Sequence, residues 1–359
     1  MHAADSKTAR KIGLDVPRAA AIFLVLLAHC VKRIEIVSFY GVELFFALSG
    51  FLIGGILYRE ITKAPSWTFA RTVRFWQRRW WRTLPSYYLF LVVSVVFSSF
   101  EWGVPSFGKF LRYFVFAQNL QCGNSSFYGM SWSLCIEEWF YLLFPLCLLG
   151  LIKAGAAKRS AFVLTTALFL AGPAVLRERF FETCAPQDVR MMTFARLDAI
   201  FYGVAAAFAT NRFEVGASAR FVAFIAGLIL VSATVCFGAL RQSFDATFFY
   251  RLAFFTIPGG FALLLPRLES IERFPAWLSF LSGPIEKLSL WSYSMYLCHI
   301  PILFTIYAAF GATRNSGAIN VLSKAVAMAV VLAVSRFLFL SFERPLTARR
   351  PSADFHDRP

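Results

Sequence analysis

Residues 14–30 read LDVPRAAAIFLVLLAHC. With its flanks, near 14–31, this run is long and apolar enough to cross a bilayer core, which takes roughly 20 mainly apolar residues. Lys7, Arg10 and Lys11 ahead of it imitate the basic start of a signal peptide. Yet the run contains Arg18 and His29, and a second apolar run follows at once, so it reads as a retained span. Working outward by the same test gives nine further spans, near 39–57, 84–100, 133–152, 160–177, 194–210, 219–237, 248–266, 289–310 and 320–342. The expected architecture is an all-α polytopic transmembrane bundle of about ten spans.

Composition agrees. Of 359 residues, 58% are hydrophobic and 16% charged, and the mean hydropathy is +0.62. An ordinary soluble domain is about 45–50% apolar and about a quarter charged, so a soluble enzyme, a disordered chain and a disulfide scaffold are all disfavoured. The formal charge is nevertheless +16. No soluble domain remains to carry a nucleic-acid footprint, so the positive charge is read as topological. With the N-terminus inside, 23 of the 36 Lys and Arg fall in inner segments and 11 in outer ones. That bias places both termini in the cytoplasm, with the outer cluster Arg177, Arg179, Arg190 and Arg196 as its weak point. No repeat or linker divides the chain. It reads as one membrane domain, 12–346, with a disordered cytoplasmic tail, 347–359. The seven cysteines show no metal-type spacing, and no metal is expected. Cys122 and Cys184 both fall in outer loops and can pair if that face is oxidising.

Ionisable groups at mid-span cost roughly 2.5–3.5 kcal/mol each on insertion scales and so need a reason. Arg18 and His29 are eleven residues apart, which is three turns plus about 20° and about 16.5 Å of rise, so both lie on one helical face. A guanidinium at the inner mouth and an imidazole towards the outer leaflet suit a long phosphate-bearing donor. Alternatively, Arg18 snorkels to the headgroups and His29 bonds a neighbouring helix. Asp15 is placed to cap the first turn. In FARTVRFWQRRWWRTLPSYY (69–88), Arg71, Arg74, Arg78 and Arg82 form one stripe on a helix, and Trp76, Trp80 and Trp81 set it at the interface. The stripe fits either phosphate contacts or anionic lipid.

SWSLCIEEWFYLLFP (131–145) opens the fourth span from outside, with Glu137 and Glu138 about 100° apart on the helix. One is expected to face a polar cavity and the other the interface. Glu43 and Asp198 are placed at the same outer depth as His29 and Glu137, either serving the site or pairing buried, for example Asp198 with Arg196. Asp198 is assigned to pairing. Gly50 and Gly54 form a GxxxG for close helix packing. His299 is either a second polar group of the site or a helix–helix hydrogen bond, and the bond is preferred.

Taken in order, these stretches resemble the acyltransferase 3 family of bacterial membrane O-acyltransferases. The resemblance rests on LDxxR at 14–18, the R-x10-H pair Arg18/His29, FFALSGFL (45–52) and RRWWRTLPSYY (78–88) with its RxxxR pair Arg78/Arg82. It continues in SWSLxxE ending at Glu137, EWFYLLFP (138–145), SYSMYLCHIP (292–301) and FERP (342–345). It covers about residues 12–346. Val16–Pro17 after LD and Trp139 after the glutamate pair depart from the usual pattern. The resemblance implies ten helices in the bacterial cytoplasmic (inner) membrane and no permanently bound cofactor. It implies cytoplasmic acyl-CoA, most often acetyl-CoA, as co-substrate and a hydroxyl of an extracytoplasmic glycan as acceptor. By motif, His29 is implied as the catalytic base, Glu137 as a functional carboxylate, and Arg18, Arg78 and Arg82 as acyl-CoA contacts. Anionic lipids are further partners, and nucleic acid is not. No esterase-like domain follows in this sequence, which fits the stand-alone form of the family. The competing expectation is a transporter or flippase of a glycan or lipid-linked substrate, or a lipid-binding scaffold. Paired Gly/Pro-broken spans in matching halves would mark a transporter; no such symmetry is visible, although Pro258-Gly259-Gly260 breaks the eighth span.

Overall fold

The computed structural model describes residues 11–31, 36–101, 103, 105–122, 126–239, 245–310 and 317–352. All regular structure among them is helical, with no strand. An apolar environment offers backbone groups no water, so each segment must satisfy its own hydrogen bonds, which a helix does. The helices are α1 (Ile12–Cys30), α2 (Ile36–Lys63), α3 (Phe69–Glu101), α4 (Phe107–Phe114), α5 (Ser131–Lys153), α6 (Lys158–Phe181), α7 (Pro186–Val189), α8 (Thr193–Arg196), α9 (Asp198–Arg212), α10 (Ala217–Ala239), α11 (Ala246–Glu269), α12 (Ser282–Ala309) and α13 (Ala318–Leu338). A π-helical turn, Phe339–Glu343, leads from α13 into α14 (Arg344–Ala348).

Eight of these helices are long and apolar enough to cross a membrane: α1, α2, α3, α5, α6, α10, α11, and α13 with its continuation to Ala348. Their outer faces carry exposed Phe221, Val222, Ile229, Val321 and Phe337, which water would not tolerate over so wide a surface. The protein is a multi-pass membrane protein. Two of the ten expected spans differ. α9 has only 15 residues, about 22 Å of rise against a core of about 30 Å. α12 has 28 residues but carries Glu286, Lys287 and four serines. Its polar positions Ser289, Ser292, Ser294 and His299 are buried, so its polarity faces protein rather than lipid.

α2 lies at the centre, packed on α1 and α9, while α12 packs between α1 and α13. The α2–α9 approach depends on glycine. A Cβ on Gly50 would stand 1.8 Å from the Ile200 carbonyl oxygen, and one on Gly203 would stand 1.9 Å from the Ala47 oxygen. Gly54 likewise faces Val204. The expected GxxxG packing is therefore present, with α9 as the partner.

Instead of a separate interfacial helix before a span starting at 84, α3 runs unbroken for 33 residues through Pro85. Proline forfeits one backbone bond there without ending the helix. The continuity carries Arg82 13 residues past the helix start, about 20 Å. Glu137 consequently meets the arginines in one cavity rather than lying with His29 at the opposite end of the bundle.

The outer arginine cluster is largely an internal feature. Arg196 pairs with Glu43, and both are fully buried. Arg177 pairs with Asp198 at 2.6 Å, with side chains 1% and 0% exposed. Asp198 is thus a pairing residue, but with Arg177 rather than Arg196, and Glu43 is occupied in the same way. Arg190 lies over the rings of Phe39 and Trp132. The Cys122–Cys184 disulfide closes over this region and spans 62 residues of sequence. Lys32, Arg33, Arg241 and Arg314, also expected in outer segments, lie outside the described residues.

Candidate active site

The first turns of α1 lie against α12. The Ser289 hydroxyl donates to Asp15 Oδ1 at 2.5 Å, and Arg18 Nη1 donates to Ser289 Oγ at 3.4 Å. Asp15 therefore anchors α1 to α12 and holds the serine that Arg18 meets; α1 has no side-chain cap. Arg18 itself lines a cavity of about 450 Å³ between α1, α2, α3, α5 and α12.

Four of the five expected site residues share that lining: Arg18, Arg78, Arg82 and Glu137. Arg79 and Arg350 join them, along with Ser49, Thr83, Tyr141, Tyr293 and Tyr296. Five guanidinium groups around one carboxylate make a site for a polyanion, since arginine forks match phosphate oxygens. The volume suits a small-molecule pocket of the usual 300–1,000 Å³. The stripe along α3 divides here. Arg78, Arg79 and Arg82 line the cavity, whereas Arg71 and Arg74 do not. Arg74 donates to the Ser352 carbonyl at 3.0 Å and to its hydroxyl at 2.9 Å, and Arg78 donates to the Pro351 carbonyl at 2.9 Å. Residues 349–352 thus lie over the N-terminal part of the stripe; 353–359 fall outside the described residues.

Adjacent Glu137 and Glu138 diverge as their helical spacing requires. Glu137 faces the cavity beside Ser49 and Tyr141, whose own hydroxyls are 3.2 Å apart. Glu138 turns to α3 and takes a hydrogen bond from Thr83 Oγ1 at 2.7 Å. It is buried against protein rather than placed at the interface, and its Oε2 has no partner.

His29 is not part of the lining. It lies in the last turn of α1, with Nδ1 against the Val25 carbonyl at 2.7 Å. Its ring meets His299 of α12 edge-on, with centroids 5.0 Å apart. His299 in turn is 5.9 Å from the ring of Tyr296, which lines the cavity. The preferred helix–helix hydrogen bond for His299 does not form: Nδ1 faces the Met295 and Tyr296 carbonyls of its own helix, and Nε2 has no partner.

Three participants escaped the sequence reading. Arg79 had a usable signal, lying three residues before Arg82 on one helical face. Arg350 had none, because it sits in a polar tail whose return to α3 depends on the direction of α14. The His29–His299 contact joins residues 270 apart in sequence, with only the polarity of each to mark it.

Residues 11–340 match the acyltransferase 3 family, described as an acyltransferase domain. The chain is similar to the peptidoglycan O-acetyltransferase OatA of Listeria monocytogenes, with 28% identity covering 93% of this chain and 55% of that one. It is also similar to the O-acetyltransferase OatA of Staphylococcus aureus, with 25% identity covering 81% of this chain and 50% of that one. The chain therefore spans about half the length of these curated relatives. No solved structure matches it. A match over nearly the whole chain, together with an arginine-lined cavity inside an all-helical membrane bundle, places this protein in the acyltransferase 3 family.

Proposed function

We propose that this protein is a membrane O-acetyltransferase that moves an acetyl group from cytoplasmic acetyl-CoA to a hydroxyl of an extracytoplasmic glycan. The observation that carries this reading is the single cavity joining Arg18, Arg78, Arg79, Arg82 and Arg350 to Glu137, with its Tyr296 wall leading to the two histidines. The arginines hold the phosphates of the coenzyme, and the thioester lies outward along α1. His29 takes the proton of the acceptor hydroxyl while its oxygen attacks the thioester carbonyl; the C–S bond breaks and CoA leaves. Glu137, held by Ser49 and Tyr141, sets the polarity midway along the path.

In this reading the protein sits in the bacterial inner membrane with both termini in the cytoplasm, an orientation that suits this direction of transfer and would put Cys122 and Cys184 on an oxidising face. The names of the relatives make peptidoglycan the first acceptor to try. Ester-linked acetyl on envelope glycans, measured by mass spectrometry, is expected to fall in a strain lacking this protein and to return on complementation. Unchanged ester content in every glycan fraction would overturn the reading.

A further inference from the structure

Three arginines are buried among the described residues: Arg79 at 8% exposure, Arg177 at 1% and Arg196 at 0%. Two of them spend their charge on a carboxylate, Arg177 on Asp198 and Arg196 on Glu43. Arg79 does not. No acidic side chain among the described residues forms an ion pair with it, and its Nε is buried without a hydrogen-bond partner. The Phe75 ring lies 5.7 Å from its Cζ, a contact that eases the charge without neutralising it. Glu60 of α2 acts on it only through space, and acts equally on Arg59, Arg71 and Arg78.

Taking a charge out of water without a partner is costly, so buried charges are ordinarily paired or bound to a ligand. Of the three buried arginines, Arg79 is the one that lines the cavity. Its company there is cationic. Arg18, Arg78, Arg82 and Arg350 share the lining with a single carboxylate, Glu137, which lies beside Ser49 and Tyr141. Its neighbours on α3 are placed differently. Arg78 is half-buried and donates to the Pro351 carbonyl at 2.9 Å. Arg82 is exposed, so water carries part of its charge.

We infer that Arg79 is the counter-ion site of the donor's diphosphate, which supplies the ion pair that no carboxylate of the protein makes. The inference rests on acetyl-CoA being the donor. It places the choice of a nucleotide-bearing thioester on a residue outside the RxxxR pair Arg78/Arg82. Two oxygens of a diphosphate match the edge of a guanidinium bidentately. A thioester without phosphates would leave the Arg79 charge stranded, so selection comes from the penalty on the wrong donor as well as attraction for the right one. Removing this arginine should therefore cost binding and not stability, the reverse of what a structural arginine does.

The test uses purified full-length protein in detergent, as wild type, Arg79→Met and Arg177→Met. Thermal unfolding is followed without ligand, acetyl-CoA is titrated by calorimetry, and ADP is titrated as its competitor. ADP carries the diphosphate without the thioester arm. Arg79→Met is expected to melt no lower than wild type, because a flexible apolar side chain replaces a buried charge that has no partner. Arg177→Met, which strands Asp198, is expected to melt well below both. Arg79→Met should weaken acetyl-CoA about tenfold or more, and ADP by a similar factor. Acetyl-CoA affinity within about twofold of wild type would overturn the inference. So would an ADP affinity that survives the substitution, a wild type from which ADP does not displace acetyl-CoA, or an Arg79→Met that melts as low as Arg177→Met. A wild type that binds no acetyl-CoA would instead overturn the reading on which the inference rests.

Discussion

The Arg177 guanidinium donates to the Asp198 carboxylate across 2.6 Å, with both side chains inside the protein. Arg177 also donates to the Ala195 carbonyl at 2.9 Å, so the pair ties the end of α6 to the start of α9. Removing one partner of a buried pair strands the other charge and costs about 3–5 kcal/mol, whereas replacing both with apolar residues is often tolerated. Arg177→Met and Asp198→Leu are each expected to lower the melting temperature in detergent sharply. The double variant should recover much of the loss. Additive losses in the double variant would show that the pair is not the unit of stability.

Helix packing gives a second prediction. Because a Cβ on Gly50 would stand 1.8 Å from the Ile200 oxygen, Gly50→Ala should push α9 away from α2. Overpacking of this kind typically costs 1–3 kcal/mol. Gly108→Ala is the control, since nothing lies within 4 Å of its added methyl. A thermal-shift assay should separate the two variants, and equal melting temperatures would contradict the close α2–α9 approach.

The disulfide closes a separation of 62 residues. In the chain-entropy picture a loop of that length is worth about 4 kcal/mol. Cys122→Ser/Cys184→Ser should therefore melt earlier, and peptide mapping of the non-reduced wild type should recover the linked peptides. Free thiols at both positions in protein isolated without reductant would contradict the pairing.

The divided stripe on α3 predicts divided effects. Arg78→Ala and Arg82→Ala should each weaken acetyl-CoA binding about tenfold or more, because a charge-assisted hydrogen bond contributes about 1.5–3 kcal/mol and 1.4 kcal/mol is tenfold. Arg71→Ala, outside the cavity lining, should bind as wild type. Titration calorimetry on the purified protein distinguishes these outcomes. Uniform losses across all three would favour a lipid-binding stripe.

Much of the bundle was legible because apolar runs of span length are a property of local composition: α1 was expected at 14–31 and lies at Ile12–Cys30. The exceptions have physical causes. α12 was expected as a span at 289–310, yet its Ser289, Ser292, Ser294 and His299 face protein, and α3 looked divided because its charged half and apolar half form one helix. The outer arginines weakened the charge-bias reading, which counts residues without knowing that Arg177 and Arg196 are buried in pairs. At the site, the arginine stripe and Glu137 were visible as polar residues where lipid would exclude them. Their depth was not, because it depends on how far α3 runs. Arg350 was hidden because the tail's path over Arg74 and Arg78 is a tertiary event.

The central claim is that His29 carries out acyl transfer from acetyl-CoA. Labelled acetyl-CoA should be supplied to the cytoplasmic face of membrane vesicles containing wild type or His29→Ala, with equal insertion checked by immunoblot. General-base loss typically removes 10²–10⁴-fold of rate, so alkali-labile acetyl on envelope glycan should fall by about a hundredfold or more in the variant. Labelling at the wild-type rate by His29→Ala, or none by wild type, would contradict it.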